Sequence, residues 1–160
     1  MLIVVDQALA DVDALVAEAA DYLARRLGGT PPLDAAGLPA DAGGALAAID
    51  AWAGDEVANW RQELIRWFEA HAPVRLVPDP DVNALLRRAA KGGQRLAVAS
   101  ALPPEALELV LQHLGCARAF TASCAGDGSL QDALDGARAA LGGDPAVVAT
   151  RTELLTALAA

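Results

Sequence analysis

Residues 78–100 read PDPDVNALLRRAAKGGQRLAVAS. Asp79 stands where an N-cap side chain accepts the free N–H groups of a first helical turn, and Pro80 takes the first helical position, where its missing N–H costs nothing. Val82-Asn83-Ala84-Leu85-Leu86 occupy the helix, and Gly92-Gly93 close it. QRLAVAS then reads as a short buried strand ending on Ser100. Downstream, PPEALELVLQHLG (103–115) enters a helix through prolines and leaves it at Gly115. ARAFTAS (117–123) reads as a strand, SLQDALDGARAALGG (129–143) as a helix, PAVVAT (145–150) as a last strand and TELLTALAA (152–160) as a terminal helix. Strands alternating with helices of this length give βαβ units and a parallel sheet.

Upstream, Leu2-Ile3-Val4-Val5 form a continuous apolar strand that runs into Asp6. DVDALVAEAADYLARRLGG (11–29) follows, with Val12, Leu15, Val16, Ala19, Leu23 and Leu27 at helical spacing. The Pro/Gly-rich TPPLDAAGLPADAGG (30–44) reads as a loop, and roughly 44–71 as a helical region holding Trp52, Trp60 and Trp67. Within it Trp60, Leu64, Trp67 and Phe68 share one face. So long a helical stretch exceeds a simple crossover. The fold class is therefore an α/β three-layer sandwich, with an α/β core at 1–11 and 73–160. Residues 12–72 form a helical cap inserted over the carboxyl ends of the strands.

Composition narrows the function classes. A chain of 160 residues buries roughly 70% of its unfolded surface and needs no disulfide or metal staple. Hydrophobic residues are 54% of the chain but aromatics only 4%, so Leu and Val clusters and a few large anchors must fill the core. The net charge of −9, with no basic run longer than Arg25-Arg26 or Arg87-Arg88, argues against nucleic-acid binding. Cys116 and Cys124 show no metal or C-x-x-C spacing and read as reduced thiols. The opening apolar run is too short for a membrane span and lacks the basic flank of a signal peptide, so a cytoplasmic protein without a membrane partner is expected.

The strand ending in Asp6, the helical insertion and the 74–123 segment together resemble the haloacid dehalogenase (HAD) superfamily. They are most similar to its phosphoglycolate-phosphatase-like members with a small helical cap. The resemblance implies a Rossmann-like sheet and four catalytic parts. Asp6 takes the position of the nucleophile that attacks phosphorus. The general acid/base belongs two residues later, where this chain has Ala8. Ser100 takes the position of the phosphate-holding Ser or Thr. A lysine is implied after the third strand, but CAGDGSLQDALDGARAALGG (124–143) has none, and the only lysine, Lys91, lies before the second strand. Arg118 and Arg138 are remote substitutes outside any matching motif. An acidic pair that helps hold Mg²⁺ is implied after the last strand, where the chain reads ATRTELL. Loss of an acid/base alone costs about 10²–10⁴ in rate.

Other candidates have two readings each. Asp6 reads as a vestigial nucleophile or Mg²⁺ ligand, or as a strand-end carboxylate accepting backbone N–H groups. Ser100 reads as an anion holder or as a group bonding the next turn. Thr150-Arg151-Thr152-Glu153 spells a capping box, and Asp11 and Asp13 fall at a helix start. Asp127-Gly128-Ser129 reads as a turn feeding an N-cap, and His71 and His113 lie near helix ends without triad partners. The Trp52/Trp60/Trp67 region reads either as a core under the cap or as a homodimer or protein-partner surface.

Two functions follow. One is a HAD-like domain with eroded motifs, a pseudoenzyme serving interaction, self-association or ligand sensing without a cofactor. The other is a HAD-type hydrolase acting on a small phosphorylated metabolite through a rearranged Mg²⁺ site.

Overall fold

The computed structural model describes residues 1–160. In chain order the elements are β1 (Leu2–Val5), α1 (Val12–Arg26), α2 (Ala42–Ala53), α3 (Trp60–Arg75), α4 (Pro80–Lys91), β2 (Leu96–Ser100), α5 (Pro104–Leu114), β3 (Ala122–Ala125), α6 (Leu130–Leu141), β4 (Ala146–Val148) and α7 (Arg151–Ala159). The four strands form one parallel sheet in the order β3-β2-β1-β4. This is the expected α/β architecture.

The pleat divides the sheet into two packing sets. Leu2, Val4, Leu96 and Val98 enter one 37-residue core with the inward faces of α1–α5 and α7. Ile3, Ala97 and Ala99 face the other way and pack with Ala133, Ala137 and Leu141 of α6, with Leu134 of α6 and Ala122 and Cys124 of β3 at the margin. Alternate residues of a strand point to opposite faces, so two side-chain sets coexist in strands this short. The chain goes from one sheet edge, β3, to the other, β4, through α6. That crossover lays α6 alone across the second face.

Local signals explain the element ends. Asp79 caps α4 by accepting from the N–H groups of Asp81 and Val82, both at 3.1 Å, with Pro80 in the first turn. Ser129 caps α6, and Thr150 with Glu153 forms the complete capping box of α7. Two elements differ from the sequence expectation. The 44–71 region is broken at 54–59 into α2 and α3. The strand expected at 117–123 is a 3-10 turn at Ala117–Ala119, with β3 starting at Ala122. Ala122-Ser123-Cys124-Ala125 has little intrinsic strand preference; pairing with Ala97–Ser100 of β2 draws it into the sheet.

The tryptophans fill the interior of the helical region. Trp60 is 2% and Trp67 4% exposed, and Trp52 is half-buried with its indole N–H donating to the Pro31 carbonyl at 2.8 Å. Trp67 meets Phe68 edge-on at 5.3 Å and stacks on His71 at 4.5 Å. The single chain thus presents no exposed aromatic patch there, because α1–α3 need that apolar volume for their own packing. Glu63, also inward, is held by the Tyr22 hydroxyl at 3.2 Å and by Arg66 at 2.7 Å, which ties α1 to α3.

Candidate functional site

Parallel register brings the two foremost candidates together across 94 residues of sequence. Val5 of β1 pairs with Ala99 of β2, so Asp6 and Ser100 sit side by side at the carboxyl ends of adjacent central strands. Such strand ends are where ligands collect in open α/β sheets. The Ser100 hydroxyl donates to Asp6 Oδ2 at 2.5 Å and accepts from the Leu102 N–H at 3.0 Å. Asp6 is 5% exposed and Ser100 not at all. Neither lines any of the five main cavities.

Burial pushes the Asp6 carboxyl up to about 6, against the opposing pull of the Ser100 hydroxyl and the Gln7 N–H; the charge of Asp13 adds to the rise. The carboxylate therefore has hydroxyl and amide donors but no cation to offset its desolvation.

The residues after Asp6 are committed to structure. Asp6–Ala8 forms a 3-10 turn in which the Asp6 carbonyl accepts from Leu9 at 2.8 Å and Ala10 at 3.2 Å. The Ala8 methyl, at the implied acid/base position, is buried in the core. Gln7, not among the residues singled out from the sequence, accepts from the N–H groups of Val12 and Asp13 at 3.1 and 3.3 Å and donates to Asp11 at 3.1 Å. Asp11 caps α1 at Ala14, and Asp13 reaches across to the Ala42 N–H at 2.8 Å, fixing the start of α2. A glutamine before a D-x-D helix start is the only prior hint of this network.

The other implied parts are equally engaged or distant. Glu153 accepts from Ala149 and Thr150 N–H groups, which lower its pKa and complete the cap. Lys91 ends α4 and Arg118 lies in the turn before β3, both at the amino-terminal side of the sheet, away from Asp6. Arg138 pairs with Asp135 on α6 at 3.3 Å. Arg61 meets the loop after β3, but it is held by Asp50 at 3.1 Å and Asp127 at 3.2 Å and lies over the Trp60 ring at 4.5 Å.

The start of α2 packs on this end of the sheet. A Cβ at Gly43 would lie 3.2 Å from the Ala101 Cβ and 3.5 Å from the Gly128 carbonyl oxygen. Gly43 therefore lets the helix approach the loops that follow β2 and β3 without an intervening side chain.

The residues present do not fit Mg²⁺. That ion demands octahedral oxygen ligation and retains several waters. Asp6 supplies one nearly inaccessible carboxylate with an oxygen already bonded to Ser100, and no three His, Cys, Asp or Glu side chains gather anywhere in a metal-holding group.

The chain matches no protein-family model and no curated protein. Among solved structures it is similar to the "putative beta-phosphoglucomutase from Thermotoga maritima", with a TM-score of 0.54 and 19% identity over 99% of this chain and 98% of that one. The likeness supports the parallel α/β, Rossmann-like fold and carries no residue roles. No helix is long and apolar enough to cross a membrane.

Proposed function

We propose that this chain is a non-catalytic HAD-like domain in which the former reaction centre has become a structural contact. The observation that carries this reading is the closed Asp6–Ser100 pair: the carboxylate at the nucleophile position is buried, hydrogen-bonded and without a neighbouring cation. Attack on phosphorus needs an accessible carboxylate, a proton donor for the leaving oxygen and positive charge around the phosphoryl group. Ala8 offers no proton, and the Glu153 carboxylate is occupied by a helix cap. The fold then serves as a scaffold for recognition, and its surface rather than the Asp6–Ser100 pair carries the function.

The test is hydrolysis of p-nitrophenyl phosphate with Mg²⁺, comparing the native chain with Asp6→Asn. Equal release of phosphate from both is expected, together with an unchanged melting temperature on adding Mg²⁺ and beryllofluoride. Turnover that Asp6→Asn abolishes would overturn the reading and restore a phosphatase acting on a small phosphorylated metabolite.

A further inference from the structure

The largest of the main cavities lies at the other end of the sheet. It encloses about 450 Å³ between the C-terminal halves of α4 and α5 and the 3-10 turn Ala117–Ala119. That volume falls within the roughly 300–1,000 Å³ of small-molecule sites. Leu86, Leu111, Cys116 and Ala119 give it a buried apolar floor. Arg87 and Lys91, four apart on α4, and Arg118 on the turn also line it, with the Asn83 and Gln112 amides as its other polar side chains.

The cations are notable for what they lack. None of the three forms an ion pair, whereas Arg26, Arg61, Arg66, Arg75, Arg138 and Arg151 all do. No acidic side chain lines the cavity. In a chain of net charge −9, three unpaired cations on one apolar cavity run against the overall balance.

Helix polarity supplies the competing explanation, since cations are favoured at helix C-termini. The terminal carbonyls already have partners, however. Gly92, Gly93 and Gln94 donate to Arg88, Ala90 and Ala89, and Cys116 donates to Leu111. The Asn83 side chain donates to Leu114 at 2.9 Å. Two helix ends contribute about half a negative charge each, so three full positive charges leave a local excess of about +2.

We propose that this cavity binds a small amphipathic anion of the aliphatic carboxylate class, its chain on the Leu86/Leu111 floor and its head group among Arg87, Lys91 and Arg118. The apolar floor supplies affinity, and the cations orient the head and exclude neutral analogues. This site is separate from Asp6 and Ser100, so it stands or falls independently of the catalytic question.

The experiment is a titration of ¹⁵N-labelled full-length chain with octanoate, 1-octanol and acetate, following amide shifts of Gly115, Cys116, Ala117 and Ala119. Saturable shifts with octanoate are expected, with octanol and acetate binding at least tenfold more weakly. The variant Arg87→Gln/Lys91→Gln/Arg118→Gln, whose three side chains are exposed and unpaired, is expected to weaken octanoate at least tenfold and leave octanol unchanged. Arg118→Gln alone gives a partial loss and serves if the triple variant misfolds. Absence of saturable octanoate shifts at these amides, equal binding of octanol, or unchanged octanoate affinity in the folded variants would overturn the proposal.

Discussion

Asp6 has a pH signature of its own. Its carboxyl titrates near 6 in the folded chain, above its ordinary value of 3.8. Below 3.8 both folded and unfolded chains hold the proton, and Asp6 carries no ionisation penalty. As pH rises through the window to about 6, the unfolded chain releases the proton first, so stability falls and then levels off. The total is of the order of 3 kcal/mol. Asp6→Asn cannot ionise, so its stability relative to the native chain should grow by up to about that amount between pH 4 and pH 7, as read from urea denaturation at fixed pH. A constant difference would show that the carboxyl is not desolvated. Ser100→Ala removes the hydroxyl donor and should cost about 1–3 kcal/mol at pH 7.5. With Asp6→Asn in the same chain the two effects should not add, because the residues share one hydrogen bond. The sequence made Asp6 and Ser100 visible as strand-end polar residues, but not as partners. Their meeting depends on which strands neighbour each other and in what register, information that lies in the sheet.

At the scale of the element, caps were the most legible feature and strand preference the least. The N-caps at Asp79 and Ser129 and the capping box at Thr150 follow from short-range chemistry that the sequence spells out. β3 could not be placed that way, because alanines and a serine acquire extended structure only from the strand beside them. The break between α2 and α3 belongs with the caps: Gly54, at a positive φ of 49°, ends α2, and Asp55-Glu56 follow with no large apolar residue until Val57. Asp79 tests the local side of this contrast. Its carboxylate caps α4 and also meets the Arg151 guanidinium of α7 at 2.6 Å, which holds its pKa below the ordinary range. Asp79→Ala should destabilise the chain by about 1–2 kcal/mol. Asp79→Asn, which keeps a capping oxygen, should lose less, and urea midpoints at pH 7 separate the two. Since the Asp79 pKa is depressed, its contribution is present above pH 4 and disappears as acid protonates the folded carboxylate.

For the molecule as a whole, the continuity of the main core decides how it unfolds. Leu2 and Val98 of the sheet belong to the same cluster as Leu46, Trp60 and Phe68 of the helices between β1 and β2. Tryptophan fluorescence, which reports α2 and α3, and far-UV circular dichroism, which reports every element, should therefore give coincident transitions. Trp67→Ala should lower stability by about 3–5 kcal/mol and shift both probes together. Separate transitions would mark the helical region as an independent unit. The parallel α/β class was readable from alternating strands and helices; the depth at which the tryptophans sit was not, since a buried aromatic face and a docking face share one periodicity.

The second face of the sheet is different in kind. Only α6 covers it, through Ala133, Ala137, Leu141 and the partly buried Leu134 against Ile3, Ala97 and Ala99. Small side chains give up little water-exposed area, so this layer has far less holding it than the rest. In deuterated solvent, the amides of α6 should exchange while those of α1 and α5 are still protected, by lifting of one helix from an otherwise intact sheet.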